Sequence, residues 1–83
     1  MKTPLQEADV ISATGTVRFF PQEGGFFAIN SDDGKTYDPI NLDVKHQNDG
    51  LRVRFKARLR GDIMGTHMVG PIVEILTIEP VHR

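Results

Sequence analysis

Residues 51–60, which read LRVRFKARLR, alternate without a break between apolar and basic side chains. A period of two is the repeat of a β-strand, whereas a helix would scatter both sets around its circumference. The pattern therefore predicts a strand with one face towards a core and a basic face towards solvent. The apolar positions are Leu51, Val53, Phe55, Ala57 and Leu59, and the basic positions, together called the basic stripe, are Arg52, Arg54, Lys56, Arg58 and Arg60.

The first half of the chain predicts three more strands. The first, residues 10–20, is rich in β-branched side chains, and Gly15 within it marks a bulge or a sharp bend. The second and third, residues 26–30 and 35–38, are joined by a tight turn that contains glycine. Pro39 ends the third strand, because proline cannot donate a hydrogen bond to the ladder.

The second half of the chain predicts a long connection and a last strand. Residues 39–50 show no period and have room for one short helical turn, with Leu42 as its apolar contact. Residues 61–66 form a hairpin loop after the basic strand. The last strand is predicted at residues 67–79, in which Gly70-Pro71 marks a bulge or an edge position.

These elements predict an all-β fold. Five strands with a longer irregular or helical connection after the third are the plan of the OB-fold, a small, partly closed barrel. An SH3-like barrel also uses five short strands, but the long first strand and the connection at 39–50 favour the OB-fold. The predicted barrel spans residues 10–79, between polar tails at 1–9 and 80–83, and a chain of 83 residues is enough for one such domain.

Charge and composition narrow the function classes. The formal net charge is −1, yet half of the ten Lys and Arg residues lie in residues 51–60, so any attraction for an anion is local. The chain has no cysteine, which excludes disulfides and thiolate metal sites and favours a cytoplasmic location. No secretory signal or bilayer-spanning apolar run is present, so we expect no membrane insertion. We also expect the protein to be a monomer.

The basic stripe is the first candidate binding surface. Its side chains are about 6.6–7 Å apart along the strand, close to the spacing of phosphates in an extended single strand. Arg18 joins the stripe if the first and fourth strands pair. The alternative is a solvated face on which acids of the last strand, such as Glu74 or Glu79, pair with the cations. In addition, OB-fold ligands usually lie over the second and third strands instead.

The aromatic side chains are the second candidate. Phe27 shares the parity of Ile29 and is predicted to be buried with it, which leaves Phe26 facing outward with Ala28. An exposed Phe26 beside Tyr37 is a stacking surface for bases, a docking patch for a protein, or part of a partly covered hydrophobic sheet.

Residues 15–29, GTVRFFPQEGGFFAI, resemble the opening of bacterial cold-shock proteins, which reads roughly GTVKWF, a five-residue turn ending in glycine, and FGFI. The resemblance implies an OB-fold and binding of single strands by base stacking. Ala28 stands where that family has its second stacking aromatic, and Phe27 replaces a glycine. The aromatic and histidine cluster of the family's third strand is reduced to Lys35-Thr36-Tyr37-Asp38, so half of the stacking positions, worth about 1–3 kcal/mol each, are lost. Alternation along the strand buries Phe19 whereas the alignment exposes it, which leaves open whether Phe19 or Phe20 is exposed.

The whole chain is similar to a small family of uncharacterised bacterial and archaeal OB-like domains. The resemblance lies in the segments EGGFFAI, DDGKTYDPINL, DGLRVRF and HMVGPIVEI. It implies the fold and leaves the function open.

Catalytic and metal-binding patterns are missing from the sequence. The three histidines, His46, His67 and His82, lack the spacing of metal ligands, and Asp32-Asp33 fits turn chemistry. No nucleophile with a base, carboxylate pair or glycine-rich phosphate loop is recognisable, so we expect no enzyme and no cofactor.

The sequence thus predicts a non-catalytic OB-fold binding module for an unidentified partner. Its alternative is weak, salt-sensitive binding of single-stranded nucleic acid. The residues predicted to bind are Arg18, Phe26, Tyr37, Arg52, Arg54, Lys56, Arg58 and Arg60.

Overall fold

The computed structural model describes residues 9–63 and 67–81. Most of the two predicted tails, and the last part of the predicted hairpin loop, lie outside these residues. The strands are β1 (Val10–Phe20), β2 (Phe26–Ser31), β3 (Thr36–Pro39), β4 (Arg52–Leu59) and β5 (Ile72–Pro80). Two single 3-10 turns, Gln22–Gly24 and Val44–His46, lie in the connections, and the second confirms the helical turn predicted between the third and fourth strands.

The five strands form one mixed sheet that closes on itself in the order β1-β2-β3-β5-β4. Four of the neighbouring pairs are antiparallel, and the short β3 pairs in parallel with β5. β1 is long enough to serve two partners, because its second half pairs with β2 and its first half with β4. The all-β fold and the five strands predicted from the sequence are confirmed.

Gly15 is the position at which β1 pairs with both neighbours, with Ser31 on β2 and with Val53 on β4. A Cβ atom at Gly15 would overlap the backbone carbonyl of Asn30, so the two strands approach each other here only because the side chain is missing. The pairing runs through this position without a register shift, so of the two predicted alternatives, a bulge or a sharp bend, the bulge is wrong.

The core fills the inside of the ring. On β4, Val53, Phe55 and Ala57 are at most 2% exposed while Arg54 and Lys56 point to solvent, which confirms the parity predicted for this strand. Residues of the other four strands complete the cluster, namely Val17, Ile29, Tyr37, Val73 and Ile75. The free energy of burying these side chains is the main stabilising contribution available to so small a domain.

The last strand begins later than predicted. Residues 67–71, called the strap below, are not part of β5 but lie against β3. The carbonyl of Pro71 accepts a hydrogen bond from the backbone N–H of Asp38 at 2.9 Å, and a Cβ at Gly70 would overlap the carbonyl of Thr36. The glycine and the proline therefore mark the end of the strap, and the predicted bulge at this pair is wrong.

An irregularity occurs further along β5 instead. Lys56 is opposite Thr77, whereas Ala57 is opposite Ile75, so Leu76 is an extra residue on β5. The extra residue turns the Leu76 side chain partly into solvent.

Asn41 closes the ring where β3 ends. Its side-chain amide donates to the carbonyl of Ile75 at 3.0 Å and accepts from the N–H of Ile75 at 2.7 Å. Just before it, the N–H of Ile40 donates to the carbonyl of Val73 at 2.9 Å. The side-chain amide of Asn41 thus makes the two hydrogen bonds to β5 that the backbone of one more residue of β3 would make.

We expect Gly15→Ala to reduce the free energy of unfolding by about 3 kcal/mol, because the new methyl group overlaps backbone and not a movable side chain. Urea unfolding followed by circular dichroism measures this. Gly61→Ala is the matched control: its Cβ meets nothing within 4 Å, so the change should stay within about 0.5 kcal/mol. Equal stability of Gly15→Ala and wild type would contradict the close approach.

Candidate functional site

The first two arginines of the basic stripe are engaged with acids. Arg52 binds Asp32 through two hydrogen bonds, of 2.7 and 2.9 Å, and also donates to the hydroxyl of Thr16 at 3.1 Å. Arg54 donates to Oε2 of Glu79 at 2.8 Å. Asp32 follows β2 and Glu79 lies on β5, so acids flank the stripe on both sides.

The other end of the stripe is similarly paired. Glu74 on β5 lies 3.6 Å from Arg58 and 3.1 Å from Arg60. Arg60 also binds Asp62 through hydrogen bonds of 2.9 and 2.8 Å. Lys56 is exposed and makes no ion pair within residues 9–63 and 67–81. The predicted pairing of Glu74 and Glu79 with cations of the stripe is confirmed.

The ion pairs also change the acidity of the carboxyl groups. The hydrogen bonds from Arg52 lower the pKa of Asp32 below its ordinary value. Those from Arg60 lower the pKa of Asp62 to about 2, and the pKa of Arg60 is raised in return. These two acids remain ionised well below neutral pH, so they offset the charges of Arg52 and Arg60.

Arg18 lies beyond the stripe. β1 and β4 do pair, as predicted, but their pairing ends at Thr16 and Arg52. Arg18 is instead opposite Ala28 on β2, and its guanidinium is 4.0 Å from Asp49 with half of the side chain exposed. Its charge is therefore available next to β2 and not next to β4.

Three flat side chains stack on the outer face of the sheet. Phe20 and Phe26 are paired across β1 and β2, with ring centroids 5.3 Å apart and planes at 10°. The imidazole of His67, at the start of the strap, lies on Phe26 with centroids 3.6 Å apart and planes at 3°. We call Phe20, Phe26 and His67 the aromatic stack.

Asp38 holds the last member of the stack. Its Oδ2 is 2.9 Å from Nδ1 of His67, and the carboxylate is almost completely buried. Phe26 does face outward as predicted, but His67 covers it and leaves it half-buried. Ala28, predicted to be exposed beside Phe26, is fully buried on the same face.

Tyr37 does not belong to this surface. It is 5% exposed and packs edge-on against Phe55 in the core, with ring centroids 6.0 Å apart. Because it is paired with Ile29, it points into the ring, away from Phe26. The prediction that Tyr37 and Phe26 form one surface is therefore wrong.

Apolar side chains are exposed at one end of the ring. Phe19 is 48% exposed and Ile40 49%, and both line a shallow cavity of about 320 Å³ together with Pro39 and Leu42. We call these four residues the end patch. Val44, in the 3-10 turn two residues after Leu42, is 80% exposed.

The structure also decides between the two expectations for Phe19. It is paired with Phe27, against which its ring packs at 5.2 Å, so it has the inward parity that alternation predicts. It is nevertheless half exposed, because it lies near the end of β1 at the open end of the ring. Phe20 has the outward parity and is partly covered by Phe26.

Two of these features were missed at the level of sequence. The end patch combines a strand end with Ile40 and Leu42 from an aperiodic connection, so no repeat pattern points to it. The contact of His67 with Phe26 joins residues far apart in the chain; Gly70-Pro71 was the available signal that the strand does not extend back to His67.

Comparisons with known proteins leave the function to be inferred from geometry. The sequence matches no protein-family model, and no curated protein is recognisably similar to it. In the described part of the chain, no group of three or more His, Cys, Asp or Glu side chains is arranged to hold a metal ion. The same residues include no helix with the length and apolar character needed to cross a membrane.

We expect the carboxyl group of Asp62 to titrate near pH 2, and Arg60→Gln to return its midpoint towards 3.8, because the guanidinium stabilises the charged form. Since the folded pKa is depressed, this pair stabilises the fold above pH 4 and the contribution is lost as the pH falls from about 4 to 2. Carbon-detected NMR of the side-chain carboxyl measures the midpoint. A value near 4 in the wild type would contradict the ion pair.

Proposed function

We propose that the chain is a non-catalytic OB-fold binding module whose partner is a protein. The strand order β1-β2-β3-β5-β4, with an irregular connection between β3 and β4, supports the OB-fold because that fold is a five-stranded, partly open Greek-key barrel. The pairing of Asp32, Glu74 and Glu79 with arginines supports a non-catalytic role, because these acids already neutralise cations.

The end patch carries the proposal of a protein partner. Large apolar side chains exposed together on a small domain mark interaction sites more often than isolated ones do. Phe19 and Ile40 flank a cavity that has room for an apolar side chain of a partner, and such buried contacts carry most of the energy of protein interfaces. Val44 extends the apolar surface along the same connection.

We expect Ile40→Lys to weaken capture of a protein partner about thirtyfold, since loss of a central apolar contact costs about 2 kcal/mol. The tagged protein is incubated with an extract of the cells that naturally express it, and the bound proteins are quantified by mass spectrometry. Leu76→Lys is the matched control, because Leu76 is also a partly exposed apolar residue but does not line the cavity. A set of captured proteins that is the same for Ile40→Lys and wild type would rule out the end patch.

The aromatic stack favours a second candidate function, weak binding of single-stranded nucleic acid. Phe20 and Phe26 offer parallel rings on the outer face, and bases stack on such rings at about 1–3 kcal/mol each. Arg18 is on the same outward side of β1, two residues before Phe20, where it can contact a phosphate. A nucleic acid bound in this way contacts β1 and β2. It does not contact the arginines of β4, which are paired with acids.

For this second candidate we expect binding of a labelled single-stranded oligonucleotide with a log–log salt slope of about −1, because about −0.7 is expected for each phosphate contact and Arg18 supplies one or two. A slope of about −3.5 would instead mean that all five cations of the basic stripe take part. Fluorescence anisotropy at several salt concentrations gives the slope.

Two substitutions locate the binding path. Arg18→Gln should reduce the affinity and flatten the slope, whereas Arg54→Gln, the matched control, should change neither because Arg54 is engaged with Glu79. Absence of binding at low salt would rule out nucleic-acid binding. Equal losses of affinity in both variants would mean that the nucleic acid contacts β4.

A further inference from the structure

His67 fills a ring-sized site on the outer face of the sheet. Its imidazole lies parallel to Phe26 at 3.6 Å, and in the same position its Nδ1 is 2.9 Å from Oδ2 of Asp38. A carboxylate only accepts hydrogen bonds, so the N–H is on Nδ1. The site thus consists of a flat aromatic surface, the ring of Phe26, and a buried hydrogen-bond acceptor, Asp38. One flat ring with an N–H on its edge contacts both.

The chain does not depend on this contact to close its ring. The strap is fixed at its other end by Gly70 against β3 and by the hydrogen bond from Asp38 N–H to the carbonyl of Pro71. Movement of His67 can therefore be confined to the first residues of the strap, without loss of the pairing of β5.

The conformation that places His67 on Phe26 is not a relaxed one. Met68, the next residue, has φ of +59°, in the left-handed region that suits glycine or asparagine, and its side chain is 88% exposed. Within the part of the chain that the structure describes, Met68 gains no packing that would explain this conformation. Release of His67 would let Met68 return to an ordinary backbone conformation.

We propose that His67 occupies the stacking site of a nucleobase, so that the site is filled by the chain itself until a single-stranded nucleic acid displaces the imidazole. The proposal deepens the second candidate function and rests on it. The imidazole is a flat ring whose N–H is directed at Asp38, as an N–H on the edge of a base would be, and stacking on Phe26 places no restriction on which base enters. The hydrogen bond to Asp38 does restrict which base enters.

Asp38 selects the base by its chemistry. A base that takes the place of His67 and again excludes water must donate to the carboxylate, because an unpaired buried charge is costly. The Watson–Crick edge of guanine carries two adjacent N–H donors, one of which takes the place of the Nδ1–H of His67 at Oδ2 of Asp38. Adenine places an acceptor nitrogen beside its amino group and would set one acceptor against another. The site is therefore one for guanine.

The first test removes the occupant. His67→Ala should bind a labelled thymidine oligonucleotide with one central guanine about tenfold more tightly than wild type if roughly a tenth of wild-type molecules have the site open. Met68→Ala is the matched control, because Met68 adjoins His67 but lies in solvent, and its affinity should equal that of wild type. Phe26→Ala in the His67→Ala background should cancel the gain.

The second test addresses base identity and uses the same background. Replacing the single guanine with adenine should reduce the affinity of His67→Ala about tenfold, in the range found for one good base contact. Asp38→Asn in that background should remove the difference between the two oligonucleotides. Equal affinity for guanine and adenine in His67→Ala overturns the assignment of the base.

A direct readout in the wild-type protein does not depend on any variant. Ring protons of His67 should be shifted upfield in NMR spectra by the ring current of Phe26, and addition of the guanine oligonucleotide should move them towards their ordinary positions. Unchanged His67 signals at saturation overturn the displacement.

The outcomes separate this inference from the function on which it rests. If wild type binds the oligonucleotide and His67→Ala binds no better, nucleic-acid binding stands and the self-occupied site is overturned. If neither protein binds at low salt, both are overturned.

Discussion

The double pairing of β1 is the constraint on which the rest of the structure depends. A single strand joins β2 to β4, and it can do so only because Gly15 allows the backbone of Asn30 to come into contact. Once the ring is closed, neighbours fix the parity of every strand. The inner faces then supply one core, and the outer faces place Arg18, Phe20 and Phe26 on one side and the basic stripe on another.

The same closure explains why most of the stripe's charge is offset by acids. β5 lies beside β4 in a register that sets Glu79 opposite Arg54 and Glu74 opposite Arg58. Asp32 is within hydrogen-bonding distance of Arg52 because β2 pairs with β1, which brings the turn after β2 close to Arg52. A sequence that looks strongly basic over ten residues therefore presents a surface on which most cations have an acid within contact distance.

The elements that sequence could predict are those with a long local repeat. The parity of β4 follows from ten alternating residues, and the bounds of β1 were predicted to the residue. Tyr37 lies in a strand of four residues, too short for its parity to be read, and its burial depends on pairing with Ile29. The strap and the end patch arise from irregular segments whose positions are fixed by tertiary contacts, such as those of Gly70 and Asn41, which no repeat encodes.

The position of β4 between two partners has a consequence for the behaviour of the folded chain in concentrated solution. A strand with an apolar face and an unpaired edge can recruit a further strand from another molecule. Both edges of β4 are already hydrogen-bonded, to β1 and to β5, so its backbone cannot serve as a template for growth of an intermolecular sheet. Topology thus denies an intermolecular sheet a start at β4, and the five cations of residues 51–60 oppose such a sheet as well.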